Sequence, residues 1–254
     1  MADLTVLITG ATNGHGLTLA RRLASEGARV IVHGRTLEKA SAAVPGADVV
    51  AADLGSLRAV EELGDEVRRR FPSLDVLVNN AGVGSGPRGQ GRQVSADGIE
   101  LRFAVNYLAG VVLTSAVRPS RVVNVASLGQ APLDPADPML ERSYSGSRAY
   151  AQSKLAQIMW TFDLAASGVT ANAIHPGTYM PTGMVAEAGI SPLTSLEDGV
   201  AATARLIRSD GVSGKFFDGQ REATADPAAY DPGAREYLRA LTDHQLVRSG
   251  RPSS

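Results

Sequence analysis

Short runs of Val, Ile and Leu alternate along the chain with longer amphipathic stretches, and this alternation limits the possible folds more than any other feature. The runs are predicted strands: Leu4–Ile8, Arg29–Val32, Asp48–Ala51, Leu74–Val78, Arg121–Val125 and Val169–Ile174. The stretches between them are predicted helices: Gly16–Glu26, Ser56–Arg70, Ala96–Val117, Ser147–Ala166 and Leu196–Arg208. Strands this short and apolar are typical of a parallel sheet buried on both faces. The sequence therefore predicts an α/β fold, a Rossmann-type doubly wound parallel sheet in a three-layer α/β/α arrangement.

The length of 254 residues suits one such domain, because a chain of this size can bury a single large core. Neither an internal repeat nor a long linker divides the sequence, so residues 1–254 are predicted to be one domain. The tail, residues 220–254, is polar and predicts a final helix near Gly233–Leu246.

Composition excludes several classes of function. The net charge is −1 and the only basic cluster is Arg68–Arg70, so neither nucleic acid nor a membrane surface is an expected partner. The absence of cysteine excludes disulfides, thiolate catalysis and cysteine-ligated metal, and isolated histidines such as His15 and His33 do not form a metal site. Neither a signal-peptide pattern nor a run of 18 apolar residues is present, which predicts a cytoplasmic protein.

A glycine-rich segment, TGATNGHG, spans Thr9–Gly16 between the first predicted strand and the first predicted helix. Its glycines would allow a sharp turn and a close approach of backbone N–H groups to a phosphate at the positive end of the helix. The same segment could also be no more than a tight turn. Its place after the first strand of an alternating β/α chain favours a nucleotide site.

The second predicted strand leads into His33-Gly34-Arg35, where a carboxylate would bind the ribose hydroxyls of NAD(H). A small residue followed by arginine instead leaves room for a 2′-phosphate and provides a cation for it. The sequence therefore predicts NADP(H) in preference to NAD(H). The alternative is that Arg35 is one of many exposed arginines.

Five short motifs occur at or near successive strand ends: TGATNGHG, NNAG (Asn79–Gly82), NVAS (Asn124–Ser127), YAQSK (Tyr150–Lys154) and HPG (His175–Gly177). Their types and order resemble the short-chain dehydrogenase/reductase family over nearly the whole chain. The insertion between Ser127 and Tyr150 and the segments SKLAQ and HPGTYM are similar to the retinol-dehydrogenase-like branch.

The resemblance implies a catalytic set of four residues: Asn106, Ser127, Tyr150 and Lys154. Tyr150 would be the general acid or base, Ser127 would bind the substrate oxygen, and Asn106 would hold a water beside the lysine. Tyr150 and Lys154 are four residues apart and share a helix face. A cation about 4 Å away, at an effective dielectric near 20, favours phenolate by roughly 4 kcal/mol, about three pK units. Tyr144 has no such partner and receives no catalytic role.

The resemblance also implies a set of cofactor-binding residues. They are Gly10, Thr12, Asn13, Gly14, His15, Gly16, Arg35, Asp53, Leu54, Asn80, Ala81, Gly82, Tyr150, Lys154, Pro176, Gly177 and Thr178. Asp53 would contact the adenine, with a helix N-cap as the alternative role. Residues 129–146 and 178–195 would be the substrate-pocket loops. The second loop carries Met180, Met184, Val185, Ile190 and Leu193, which predicts a lipophilic small-molecule substrate.

The chain departs from the family pattern at three points. His15 stands where a branched aliphatic residue is usual, and Pro181 replaces the threonine that contacts the carboxamide, with Thr178 and Thr182 on either side. The stretch from Asn106 to Ser127 and the Tyr150 helix are also short, the latter by about one turn. Because the family dimerises through these helices, we expect a homo-oligomer of that kind to be weakened or rerouted.

Together these features predict an enzyme, an NADP(H)-dependent oxidoreductase that transfers hydride between nicotinamide and a carbonyl or alcohol. Two alternatives remain open at this stage. One is an NADP(H)-binding regulator without catalysis, and the other is an epimerase or dehydratase that uses the same Ser-Tyr-Lys set. No metal is expected in any of the three.

Overall fold

A computed structural model describes residues 4–87, 89–183, 191 and 193–251. Its strands form one eight-stranded sheet in the order β3-β2-β1-β4-β5-β6-β7-β8, parallel except for the pairing of β7 with β8. The strands are β1 Thr5–Ile8, β2 Arg29–Gly34, β3 Asp48–Ala51, β4 Val76–Asn79, β5 Arg121–Val125, β6 Thr170–His175, β7 Lys215–Asp218 and β8 Arg221–Ala223. The order reverses between β1 and β4, where sheets of this kind form a ligand crevice.

Helices cover both faces of the sheet. They are α1 Gly14–Ser25, α2 Leu37–Ala43, α3 Leu57–Arg70, a π-helix Phe103–Leu108 that continues as α4 Ala109–Val117, α5 Gly146–Ala166, α6 Leu196–Arg208 and α7 Pro232–Arg248. One apolar cluster joins the sheet to α3, α4, α5 and α7, and a second joins it to α1, α2 and α6. Successive residues of β1 point to opposite faces of the sheet, so Leu7 packs in the first cluster and Ile8 packs in the second. The predicted doubly wound α/β fold is confirmed.

The predicted helix Ala96–Val117 is wrong at its beginning. Residues 95–99 form a turn instead, in which Gly98 has φ +75° and the Ser95 amide donates to the Ile99 carbonyl. The Asp97 carboxylate accepts from the Leu57 amide at 2.9 Å and so satisfies the first turn of α3. The apolar residues of this segment fit a helical pattern. The helix nevertheless begins later, because Gly98 is in the left-handed conformation and the Asp97 side chain caps α3.

Most other predicted boundaries lie within one or two residues of the observed ones, as is usual for element ends. Helix α2, strand β7 and the edge strand β8 were not predicted from the sequence. The predicted final helix is confirmed, and it extends beyond its predicted ends to Pro232–Arg248.

Helix α7 packs against α5 and the π-helix. Its Arg235 and Arg239 both pair with Asp163 of α5, the second at 3.0 Å between Arg239 Nη1 and Asp163 Oδ2. Its Thr242 hydroxyl is 2.7 Å from the hydroxyl of Tyr107, which lies in the π-helix. Leu238, Leu241 and Leu246 belong to the same apolar cluster as α4 and α5. Among the described residues, no helix has both the length and the apolar character needed to cross a membrane.

Candidate active site

The glycine loop lies at the crevice between β1 and β4. Gly10 and Gly14 have φ angles of +64° and +50°, a conformation that favours glycine. A Cβ on Gly10 would stand 2.9 Å from the Ala81 Cα, so the backbones of the loop and the NNAG motif touch. Asn13 makes no side-chain cap to α1, and the first turn of α1 contains no acidic residue. This uncapped helix terminus suits a cofactor pyrophosphate.

Asn80 supports this loop from beneath. Its side-chain amide donates to the carbonyls of Thr9 and Gly10 at 2.8 and 3.2 Å, and its backbone amide donates to the Thr9 hydroxyl at 3.0 Å. A Cβ on Gly16 would come within 2.4 Å of the Asn80 Nδ2, so glycine is required for this packing. The Asn80 side chain therefore shapes the predicted cofactor site through the loop.

Two buried histidines also hold the loop; His15 was predicted to bind the cofactor, whereas His33 had no predicted role. His33 Nδ1 accepts from the Gly10 amide at 3.1 Å and its Nε2 donates to the Ala52 carbonyl at 3.2 Å, which defines a neutral imidazole. Burial lowers the pKa of His33 to about 4. His15 lies between Asn80 and Thr203 of α6, at 2.9 and 3.1 Å, and burial lowers its pKa. His15 thus links the glycine loop to α6.

The residues predicted for the adenosine end lie at the ends of β2 and β3. Arg35 is exposed and pairs with no residue in the described part of the chain. Asp53 is exposed, and one of its carboxylate oxygens accepts from the Gly55 amide at 2.8 Å. Ser56, not Asp53, is the N-cap of α3, so the alternative role for Asp53 is wrong. Leu54, next to Asp53, is buried. The Thr12 side chain packs against Gly34, where a Cβ would stand 2.6 Å from the Thr12 Cγ2.

Ser127 and Tyr150 meet at the carboxyl end of β5. Their hydroxyls are hydrogen-bonded to each other, and the Gly129 amide donates to Ser127 Oγ at 3.0 Å. Burial raises the pKa of Tyr150, an effect that the Ser127 hydrogen bond reduces. Tyr150 therefore keeps its proton near neutral pH.

Lys154 is buried beside this pair, with Nζ 5.9 Å from the centroid of the Tyr150 ring. Burial lowers the pKa of Lys154 to about 7. The expected lowering of the Tyr150 pKa by the lysine is thus not what the structure gives. Burial favours the neutral forms of both groups, and it outweighs their attraction.

Asn106 lies in the π-helix, but its side chain does not contact the lysine. Its Oδ1 accepts from the Val83 amide at 2.7 Å, and its Nδ2 donates to the Val83 carbonyl and the Ser153 hydroxyl at 3.1 and 2.9 Å. These three hydrogen bonds hold the segment after β4 against α5. The water-holding role inferred from the resemblance would fall to its main chain.

The segment after β6 reaches back to the glycine loop. Thr178 Oγ1 is 3.0 Å from His175 Nε2, whereas Thr182 lies against Gly14, 3.1 Å from the position of a Cβ there. Pro176 is buried and Gly177 packs against Thr194. Of the predicted lipophilic side chains, Met180 is buried and Leu193 is exposed, while Met184, Val185 and Ile190 lie outside the described residues.

Two sets of polar residues near the site were not predicted from the sequence. Gln157 Oε1 accepts from Lys154 Nζ at 3.2 Å. Arg102 is fully buried, and it donates to the Tyr144 hydroxyl at 2.6 Å and to the carbonyls of Gly84 and Ser85 at 2.8 and 3.0 Å. It thereby joins the loop after β4 to the loop before α5. Only the unusual placing of a glutamine and an arginine in apolar surroundings could have drawn attention to them.

The fold and these contacts define a nucleotide-binding α/β protein that holds a Ser-Tyr-Lys set beside its glycine loop. A family profile described as short chain dehydrogenase matches residues 4–191. The chain belongs to the short-chain dehydrogenase/reductase family, whose members are oxidoreductases that use a nicotinamide cofactor. The resemblance drawn from the five motifs is confirmed.

Within the family the chain falls in the retinol-dehydrogenase-like branch. It is 34% identical to mouse retinol dehydrogenase 13, over 89% of this chain and 79% of that protein. A crystal structure of an uncharacterised protein from Mycobacterium paratuberculosis superposes with a TM-score of 0.79 at 28% identity, over 100% of this chain and 96% of that one. A short chain dehydrogenase from Burkholderia cenocepacia, solved in complex with NADP, gives 0.66 at 27% identity, over 90% and 98%.

Proposed function

We propose that this protein is an NADPH-dependent oxidoreductase that reduces the carbonyl group of a lipophilic small molecule and oxidises the corresponding alcohol in reverse. The observation that carries the proposal is the hydrogen-bonded Ser127–Tyr150 pair with the buried Lys154 beside it. This pair lies at the sheet edge that also presents the glycine loop, so a reacting carbonyl and a nicotinamide would meet there.

When bound, the nicotinamide supplies the hydride for reduction or accepts it in oxidation. Tyr150 and Ser127 both place hydroxyl donors where a carbonyl oxygen would lie, and both stabilise the negative charge that develops on it. Because burial raises the pKa of Tyr150, its proton is available for transfer to that oxygen. The protonated form of Lys154 would then stabilise the resulting phenolate.

The preference for NADPH rests on Arg35. The side chain is exposed and has no partner among the described residues. It follows Gly34, against which Thr12 of the glycine loop packs so closely that a Cβ on Gly34 would stand 2.6 Å from the Thr12 methyl carbon. Arginine binds phosphate with charge-assisted hydrogen bonds. The related Burkholderia enzyme was solved with NADP, which supports the choice.

The preference for a lipophilic substrate rests on apolar side chains exposed around the catalytic residues. Leu128, which directly follows Ser127, is 46% exposed, and Tyr179 and Leu193 after β6 are 43% and 73% exposed. The Leu193 amide donates to the Tyr179 carbonyl at 3.0 Å, so the two lie together. Apolar groups gathered beside a polar catalytic pair are typical of a small-molecule site.

Fluorescence titration with NADPH and NADH in parallel tests the cofactor. We expect NADPH to bind at least about tenfold more tightly, and Arg35→Ala to remove most of that difference. Arg69→Ala changes an exposed arginine at the end of α3 and should leave both affinities unaltered. A preference for NADH in the unmodified protein would contradict the role of Arg35.

Substitution of Tyr150 by Phe tests the chemistry. The variant should bind NADPH normally and lose turnover of aliphatic and aromatic ketones and aldehydes by about 10²–10⁴-fold, the usual effect of removing a general acid. Product analysis with deuterated NADPH should find the label on the new alcohol carbon. NADPH binding without turnover would indicate a regulator, and rearranged substrate without net NADPH use would indicate an epimerase or dehydratase. Cell fractionation would test the predicted cytoplasmic location.

A further inference from the structure

Lys154 lies in an unusual setting for a lysine, because its side chain is buried and forms no ion pair with a described residue. A lysine ammonium has three N–H donors and accepts no hydrogen bond. One donor goes to the Val125 carbonyl at 2.7 Å and a second goes to Gln157 Oε1 at 3.2 Å. The third remains for the site that Tyr150 faces.

We infer that Gln157 is a positioning residue for the reaction, whose amide oxygen accepts a hydrogen bond from the Lys154 ammonium, holds it in place and favours the charged form over the neutral one. The inference rests on the proposed function for its catalytic meaning, but the contact itself does not depend on it. Gln157 follows Lys154 by three residues on α5, so the two side chains share a face of the helix.

Gln157 is itself held in a chain of buried polar groups. Its backbone carbonyl accepts from the Thr161 hydroxyl at 2.7 Å, and Thr161 Oγ1 accepts from Asn124 Nδ2 at 2.8 Å. Asn79 Nδ2 in turn donates to Asn124 Oδ1 at 2.8 Å. These hydrogen bonds connect α5 to β5 and β4, the strands that carry Asn124 and Asn79.

Among the described residues, the Val125 carbonyl and Gln157 Oε1 are the acceptors that the Lys154 ammonium uses. On α5 the titratable neighbour is Tyr150, and from β6 it is His175, whose pKa is lowered by burial and also by the lysine charge. Asp218 of β7 acts on His175 and opposes that lowering. The π-helix offers the neutral Asn106, whose amide is already used. Loss of Gln157 would therefore leave the Val125 carbonyl as the ammonium's partner in the described part of the chain.

The titration of Lys154 can be measured directly, because the chain contains only Lys39, Lys154 and Lys215. In a Lys39→Arg, Lys215→Arg background, lysine labelled with ¹³C at the ε carbon gives one NMR signal. Its chemical shift against pH reports the Lys154 midpoint in the cofactor-free protein, whether or not the protein has activity.

Gln157→Met keeps the size of the side chain and removes the acceptor. We expect the Lys154 midpoint to fall by about one pH unit, since the charged form loses a hydrogen bond. Gln157→Glu keeps the shape and adds a negative charge, so the midpoint should rise. A merely structural role of Gln157 would not move the Lys154 midpoint in opposite directions in these two variants.

Gln152 provides a matched control on the same helix. It is as deeply buried as Gln157, yet neither its amide oxygen nor its nitrogen has a partner among the described residues. Gln152→Met should leave the Lys154 midpoint unchanged. An unchanged midpoint in both Gln157 variants, or the same shift in Gln152→Met, would overturn the inference. If Gln157→Met does not fold, the direction of the Gln157→Glu shift decides.

A kinetic measurement then connects the contact to the reaction. In carbonyl reduction, the fall of kcat/KM at alkaline pH should move to lower pH in Gln157→Met and to higher pH in Gln157→Glu, while the KM for NADPH changes less than kcat. If the NMR midpoints shift as expected and no carbonyl is turned over by any variant, the positioning contact stands and the proposed function fails.

Discussion

His33 shows how one buried side chain can couple the cofactor loop to pH. It accepts from Gly10, donates to Ala52 and is 2% exposed. Both contacts need the neutral imidazole with its proton on Nε2. Protonation would place a second N–H against the Gly10 amide, so acid should loosen the glycine loop as well as the fold.

The folded-state pKa of His33, about 4, lies below its ordinary value of 6.5, so the unfolded chain binds more protons between these values. The contribution of His33 to stability is therefore complete above pH 6.5 and is lost as the pH falls towards 4. Between pH 7 and pH 5 this amounts to about 2 kcal/mol. His33→Gln should reduce the acid-induced loss of unfolding free energy by that amount in urea titrations. Substitution of the exposed His244 by Gln should not, and an equal effect of both would contradict this account.

At the scale of secondary-structure elements, the packing of α3 on α4 depends on one glycine. A Cβ on Gly64 would lie 2.4 Å from the Ala116 Cβ, closer than two such atoms can approach. Gly64→Ala would gain about 1 kcal/mol in helix propensity but lose about 1–3 kcal/mol through overpacking. The expected result is a lower unfolding free energy in urea with unchanged NADPH affinity.

The companion substitution Ala116→Gly should relieve this clash. In a double-mutant cycle, Gly64→Ala combined with Ala116→Gly should be more stable than the sum of the single effects. Strict additivity would mean that the two helices do not approach as closely as the structure has them.

The elements also show what the sequence could predict. Strands such as Arg121–Val125 were predictable because buried parallel strands are continuously apolar. The short α2 was not, since seven residues with two buried alanines carry little periodic signal. The helix predicted from Ala96 begins later than predicted because Asp97 accepts a hydrogen bond from Leu57 at the N-terminus of α3.

The candidate site was predictable only in part. Motif order located the glycine loop and placed Ser127, Tyr150 and Lys154 together. Gln157 and Arg102 could not be assigned, because their roles depend on contacts with Lys154 and Tyr144 that only the tertiary structure provides. The pKa of Tyr150 was predicted in the wrong direction, since burial cannot be estimated from helix spacing alone.

For the whole molecule, the position of α7 determines which surfaces are available for assembly. It packs against α5, one of the helices through which the family resemblance implied a dimer, and against the π-helix that leads into α4, with the Asp163 ion pairs and the Tyr107–Thr242 contact holding it there. We therefore expect a monomer at low micromolar concentration. Light scattering gives the mass directly.

A stable dimer would contradict this expectation, and Asp163→Asn offers a further check. That substitution weakens both arginine contacts and should lower stability. If α7 detaches as a result, self-association should rise with protein concentration, because the apolar sides of α5 and the π-helix are then uncovered.

The contacts of α7 also set the order of events during synthesis. They join residues 72 and 135 positions apart in the chain, through Asp163–Arg235 and Tyr107–Thr242, and Arg251 just after the helix reaches Asp97, 154 positions earlier. A growing chain therefore leaves the ribosome with Ser127, Tyr150 and Lys154 complete but with α5 still bare on its outer side. Until α7 emerges and docks, that apolar surface is the one a chaperone would meet, so the outer side of α5 is covered only after α7 has been translated.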